Sequence, residues 1–323
     1  VHSVVVAIFP GVQALDISGP LDVFSEANAF VSADRVYDCR VASADGGPVR
    51  ASNGMRIAAD LAFAQAQGPW DVALVAGGPA LPEAVVDPAL ADWLRAVAAN
   101  SARFGSICTG AFALGAAGLL DGRRATTHWQ SAALLARRFR GARVEPDSIF
   151  CRDGTLITSA GVTAGIDLAL ALVAEDHGRE VALSVAKRLV VVAQRQGGQS
   201  QFSPHLALAP ADPEHRLARV QAHVATHLRD SLAVAELAAI AGTSTRHFAR
   251  EFSEWAEMTP HEFVERARLD SARRLLEATR QPLKTIAWEC GFASTDRMRL
   301  AFVRRLGVTP IQYRASFSAA KRQ

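Results

Sequence analysis

The stretch Val234–Trp255, VAELAAIAGTSTRHFAREFSEW, is echoed by Leu283–Arg305, LKTIAWECGFASTDRMRLAFVRR. Leu237-Ala238-x-x-Ala241-Gly242 recurs 49 positions later as Ile286-Ala287-x-x-Cys290-Gly291. Ser244-Thr245-x-x-Phe248-x-x-x-Phe252 recurs 50 positions later as Ser294-Thr295-x-x-Met298-x-x-x-Phe302, and Thr259-Pro260 recurs as Thr309-Pro310. In each copy an apolar-faced segment runs to a glycine. A serine suited to N-capping follows, and then apolar residues at i and i+4. This spacing predicts a short helix, a turn and a longer helix, twice. Two helix-turn-helix motifs, at about 234–255 and 283–305, point to double-stranded DNA as partner.

Thr259-Pro260-His261-Glu262 places Thr at N-cap, Pro at N1 and Glu at N3, a capping box that opens a helix running to about Ala278. Thr309-Pro310-Ile311-Gln312 repeats it for a last helix, and Asp212-Pro213 opens a leading one. Gly291-Phe292-x-Ser294…Phe302…Gly307-x-Thr309-Pro310-x-x-Tyr313-Arg314 and Arg268-Leu269-x-x-Ala272-x-x-Leu275-Leu276 resemble the DNA-binding domain of AraC-type transcriptional regulators. The resemblance covers all of 212–323. It departs at Glu257, where the first copy usually has glycine.

With Phe248 and Phe252 inward, the first recognition helix presents Ser244, Thr245, Arg246, Ala249 and Arg250. The second presents Thr295, Asp296, Arg299 and Leu300. An outward Arg can fork onto guanine O6 and N7, while Ala249 and Leu300 offer apolar contact. Asp296 would repel phosphate and so should face a base edge or orient a neighbouring Arg. Charge agrees: residues 196–323 carry 18 basic and 13 acidic side chains, a balance of +5, against 17 and 19 in residues 1–195.

A chain of 323 residues, half of them hydrophobic, is expected to hold two domains. No apolar run approaches a membrane span, and no signal-peptide pattern precedes the first strand, so the reading is cytoplasmic. Four scattered cysteines without CxxC spacing argue against zinc and against a disulfide framework; neither metal nor cofactor is expected. Residues 1–195 alternate between strand and helix signals. Strands are expected over Val4–Phe9, Val36–Ala44, Asp71–Ala76 and Arg103–Ile107. Helices are expected over Pro20–Ser32, Pro88–Asn100, Thr109–Ala117, Thr127–Phe139, Thr163–His177 and Glu180–Arg195. The implied fold is α/β, a parallel sheet covered on both faces, followed by an all-α domain. Residues 196–211, rich in Gly, Gln, Ser and Pro, read as the linker.

Ser106-Ile107-Cys108-Thr109-Gly110 is the chemical centre of this half. Small residues two before and two after Cys108 permit the sharp strand-to-helix turn of a nucleophile elbow, and the new helix N-terminus would favour a thiolate. A buried, inert Cys at a strand end is the competing reading.

The surrounding strings resemble the ThiJ/PfpI superfamily, whose fold is like that of class I glutamine amidotransferases. They are Phe9-Pro10-Gly11…Leu15-Asp16-x-x-Gly19-Pro20, Val75-x-Gly77-Gly78, Cys108-Thr109-Gly110…Gly118-Leu119-Leu120, Ala125-Thr126-Thr127-His128-Trp129, Thr158-Ser159-Ala160-Gly161 and Gly165-Ile166-Asp167-Leu168. The resemblance implies a flavodoxin-like or amidotransferase-like doubly wound sheet and a homodimer. It sets Asp16 beside Cys108, with the backbone N–H groups of Gly78 and Thr109 pointing into the same pocket like an oxyanion hole. The Asp-Cys-Thr set is similar to that of isocyanide hydratases. Thr109 stands where protease-like relatives carry His, which argues against peptidase activity. His128 is a candidate base, against the alternative that it caps and packs a helix start.

United, the two resemblances define amidase-like transcriptional regulators. A non-catalytic sensor pocket around Asp16, Gly78, Cys108, Thr109 and His128 would bind a small nitrogenous effector, and an activator would also engage RNA polymerase. Two other readings are a Cys108-based redox or electrophile sensor, and an amidase or isonitrile hydratase using Cys108 and Asp16.

Overall fold

Consecutive residues of strand β1 (His2–Ala7) enter different cores. Val4 and Val6 join one apolar cluster, Val5 and Ala7 another. That alternation is the period of a strand buried on both faces, and it explains why the run is apolar throughout. The structure is a computed structural model and describes residues 1–191, 198–199, 216–256 and 258–317.

The chain divides into two compact units, Val1–Ser200 and Gln201–Gln323. In the first, the further strands are β2 (Tyr37–Ser43), β3 (Val49–Arg50), β4 (Arg56–Ile57), β5 (Leu61–Ala62), β6 (Val72–Val75), β7 (Arg103–Ile107), β8 (Arg124–Ala125), β9 (Arg143–Val144), β10 (Phe150–Asp153) and β11 (Leu156–Ser159). The helices are α1 (Ala14–Ala27), α2 (Pro88–Asn100), α3 (Ala111–Ala116), α4 (Ala132–Arg138), α5 (Ala164–His177) and α6 (Arg179–Arg188).

Among the described residues, seven strands form one sheet in the order β10-β11-β7-β6-β1-β2-β5. All neighbours are parallel except β10, which pairs antiparallel with β11 at the edge. Residues of α1, α5 and α6 cover one face; residues of α2, α3 and α4 cover the other. Strand order reverses direction next to β1, so the C-terminal ends of β1, β6 and β7 form the crevice where open α/β sheets place ligands.

The helix expected over Pro20–Ser32 starts earlier and contains Pro20 inside α1. Gly19 and Pro20 fit closely against Ile166 and Gly165 of α5, and this packing overrides the helix-breaking signal. The hairpin β10–β11, tied by Gly154 at φ +61°, was not anticipated as strands.

The second unit contains α7 (Arg216–Thr226), α8 (Val234–Ile240), α9 (Thr245–Ala256), α10 (Pro260–Ala278), α11 (Leu283–Glu289), α12 (Thr295–Leu306) and α13 (Pro310–Phe317). Phe248 and Phe252 close one small core, and Met298 and Phe302 close a second. Helix α10 serves both, giving Phe263 and Val264 to the first and Leu269, Ala272 and Leu276 to the second. Thr259 caps α10, but the Glu262 carboxylate pairs with Arg266 and Arg305. The reciprocal box forms at α13, where Thr309 N–H donates to Gln312 Oε1 and Gln312 N–H to Thr309 Oγ1. Of the linker expected over 196–211, only 198 and 199 are among the described residues. Asp212-Pro213, Glu257 and the end of the helix expected over Glu180–Arg195 lie outside them.

Candidate functional site

Strand β7 ends at Ile107, and Cys108 turns the chain at φ +56°, a left-handed conformation uncommon for a side-chain-bearing residue. Gly105 lets β7 lie close to β11, where an added Cβ would sit 1.5 Å from Ile157 O. The strain at Cys108 is that of a nucleophile elbow. After it comes a 3-10 turn, Cys108–Gly110, and only then the six-residue α3.

Asp16, fully buried on α1, faces this turn. Its Oδ2 accepts from Gly77 N–H at 2.9 Å, and its Oδ1 finds no N–H or O–H donor among the described residues. Gly77 must be a glycine, because a Cβ would lie 2.7 Å from Asp16 Oδ2 and 2.8 Å from Thr109 N. Burial raises the Asp16 carboxyl to about 7, against the Gly77 hydrogen bond and the Cys108 contact that favour its charge. The Cys108 thiol is pushed up to about 12, first by burial and then by the Asp16 charge. The N–H groups of Val162 and Thr109 and the Thr109 hydroxyl oppose this and lose. Of the two readings of Cys108, burial favours the protonated thiol over a thiolate at a helix N-terminus: the turn is short and the site dry.

The expected oxyanion arrangement is also different. Gly78 N–H donates to Thr109 Oγ1 at 2.9 Å, and that hydroxyl donates to Gly78 O at 2.8 Å. Gly78 N–H is thus already engaged. His128 accepts from Gln130 N–H through Nδ1 at 3.2 Å and caps a short 3-10 turn. Its ring lies so close to Gly161 that a Cβ there would be 2.1 Å from Cδ2. Burial holds its pKa below the usual imidazole range. It packs and caps, as one of its two readings anticipated. Sequence reasoning missed Val162, at φ +43° with its N–H on Cys108, and Thr127, whose hydroxyl donates to Cys108 O at 2.8 Å. Thr127 stood inside a quoted motif, but nothing in the pattern pointed its hydroxyl at Cys108.

In the second unit, Ser244 Oγ accepts from His247 N–H at 3.4 Å, and Ser294 Oγ from Arg297 N–H at 3.1 Å. On α9, Thr245, Arg246 and Arg250 are exposed and Ala249 is half-buried. His247, also exposed, was not anticipated: its Nδ1 lies 3.3 Å from Arg250 Nη2, and its Nε2 lies 3.7 Å from Glu251. On α12, Asp296, Arg297, Arg299 and Leu300 are exposed and Thr295 is half-buried. Asp296 lies 3.7 Å from Arg299. Arg304 and Arg305 are held by Glu265 and Glu262. Among the described residues, no helix is long and apolar enough to cross a membrane, and no group of three or more His, Cys, Asp or Glu could hold a metal ion.

Residues 2–175 match the model of the DJ-1/PfpI family, and residues 237–316 that of a helix-turn-helix domain. The chain is 35% identical to the HTH-type transcriptional regulator CdhR of Pseudomonas aeruginosa over 310 residues, 95% of this chain and 90% of that protein. It is 38% identical to an isonitrile hydratase of Pseudomonas putida over 182 residues, 56% of this chain and 75% of that enzyme. Among solved structures, an AraC family transcriptional regulator from Pseudomonas putida superposes with a TM-score of 0.52 at 26% identity, covering 58% of this chain and all of that one (100%).

Proposed function

The chain belongs to the DJ-1/PfpI family and is a DNA-binding transcriptional regulator of the AraC type, and from that premise we propose that the crevice around Cys108 is its effector sensor. The observation that carries this reading is Asp16 Oδ1, fully buried beside Cys108 and without an N–H or O–H partner among the described residues. A buried acceptor in that state is stabilised by a ligand that supplies the donor. A small nitrogenous metabolite, cationic or bearing N–H groups, fits it. The thiol stays protonated at neutral pH and His128 serves its own turn, so the pocket holds its ligand rather than turning it over.

On the DNA side, Thr245, Arg246, Ala249 and Arg250 of α9 and Thr295, Asp296, Arg299 and Leu300 of α12 enter successive major grooves. The protein acts as a homodimer through its first unit, which sets two DNA-binding units on repeated half-sites, and it activates transcription by recruiting RNA polymerase. The test begins with a genome-wide map of binding sites, whose neighbouring operons nominate nitrogenous candidates. A true effector should raise the melting temperature of the wild type and not of Asp16→Asn. Absence of any binding site would sink the reading. Light scattering on the full chain tests the dimer.

One observation favours a second reading. Asp16, Cys108 and Thr109 stand together in a chain similar to an isonitrile hydratase. Multiple turnovers of an isonitrile or amide, abolished by Cys108→Ser, would make the first unit an enzyme. A buried thiol near 12 speaks against an electrophile sensor.

A further inference from the structure

Gln199 stands at the end of the first unit, ahead of the stretch that leads to the DNA-binding half, and its side chain is only 2% exposed. Its Nε2 lies 2.9 Å from Thr127 O, 3.0 Å from Ser148 O, 3.1 Å from Pro146 O and 3.2 Å from Thr126 Oγ1. Its backbone N–H donates to Asp147 O at 2.8 Å. Thr126 Oγ1 is itself within reach of Glu145 O at 2.8 Å, so its own proton is directed away from Gln199. Every group around Nε2 therefore offers a lone pair. Such a ring accepts a primary amide and rejects a carboxylate of the same shape.

Thr127 links this ring to the effector crevice. Its carbonyl takes the Gln199 amide, while its hydroxyl donates to Cys108 O at 2.8 Å. Cys108 is the residue held in the strained left-handed turn, so a ligand that reoriented its peptide would move the carbonyl that Thr127 holds. The other oxygen of the Gln199 amide, Oε1, is buried without a partner among the described residues.

We propose that Gln199 is a positioning residue that couples the Cys108 crevice, through Thr127, to the segment entering the DNA-binding half. This rests on the regulatory reading above. Gln199 holds the Thr127 carbonyl while the Thr127 hydroxyl holds Cys108 O, so a change at either end is expected to be read in DNA affinity. Because coupling is reciprocal, a change at Gln199 must also be felt at Cys108.

The experiment uses the full chain. Iodoacetamide alkylation of Cys108 is timed by peptide mapping, and affinity is titrated for a duplex that the wild type selects from a random pool. Gln199→Ala should change both readouts, each by about fivefold or more. Gln199→Glu should exceed it, since a carboxylate meets only lone pairs. Thr127→Val, which removes the hydroxyl and keeps the carbonyl, should alter DNA affinity in the same direction. Melting curves verify that each variant is folded, and Gln199→Asn replaces any that is not. Unchanged Cys108 alkylation in Gln199→Ala would overturn the relay. Altered alkylation with unaltered DNA affinity would overturn the coupling and leave a structural anchor. Failure of the wild type to select any duplex would sink the regulatory reading instead, while the alkylation arm still decides the relay.

Discussion

The two helix-turn-helix copies share a grammar and differ in what surrounds it. In the first, Gly242 turns at φ +68° in open space, and an added Cβ would meet nothing within 4 Å. In the second, Gly291 turns at φ +76°, and an added Cβ would lie 1.8 Å from Leu228 O, a carbonyl also held by Arg268. The outward faces differ as well. Helix α9 presents Arg246 and Arg250, with His247 bracing the latter. Helix α12 presents Arg299 beside the carboxylate of Asp296, with Leu300 half exposed at 50%. The lesson is a division of labour: the second copy is locked by close packing, and the first carries the freer cationic face.

The largest expected effect tests the packing half of that contrast. Gly291→Ala should destabilise the protein by about 3 kcal/mol or more, the sum of a left-handed φ and a backbone clash, read by denaturant unfolding. Gly242→Ala should lose only about 1–2 kcal/mol, from φ alone. Equal losses would break the comparison. Next comes Arg250→Ala, expected to weaken binding at the cognate site by about 1–3 kcal/mol if it reads a base. Arg299→Ala should weaken it less. Uniform weakening on every sequence would make Arg250 a phosphate contact, and a larger loss at Arg299 would reverse the assignment of labour. The smallest effect is at Asp296→Ala. Its ion pair with Arg299 is exposed, so stability should move by less than about 0.5 kcal/mol, while DNA affinity at low salt should rise.

This contrast was only half legible in the sequence. The repeat located both turns, since apolar spacing and glycine follow from local geometry. That Leu228 O presses on Gly291 follows from tertiary packing, which no spacing records. The same divide runs through the first unit. The apolar run that forms β1 was readable as a local signal, and the span of α2, which Asp87 caps, was anticipated as well. The start of α1 was not, because Pro20 sits inside the helix by virtue of its contact with Gly165. At the crevice, Cys108 and Asp16 were found by motif. Val162 was not, since its part is played by a backbone N–H, which any residue but proline carries, in a left-handed turn that a β-branched side chain does not signal. The thiol's protonation was left open for a related reason: a helix start was visible in the sequence, but the depth of burial that outweighs it was not.

The raised carboxyl of Asp16 has one more consequence, in the exchange of protons with solvent. With a pKa raised to about 7, it exchanges its proton near neutral pH. A cationic ligand would favour the ionised form and release protons on binding. A neutral ligand that donates nothing would do the opposite. Calorimetric titrations in two buffers of different ionisation enthalpy would then differ in apparent heat by a signed amount. That sign reports whether the ligand favours the ionised or the neutral carboxyl before its chemical identity is known.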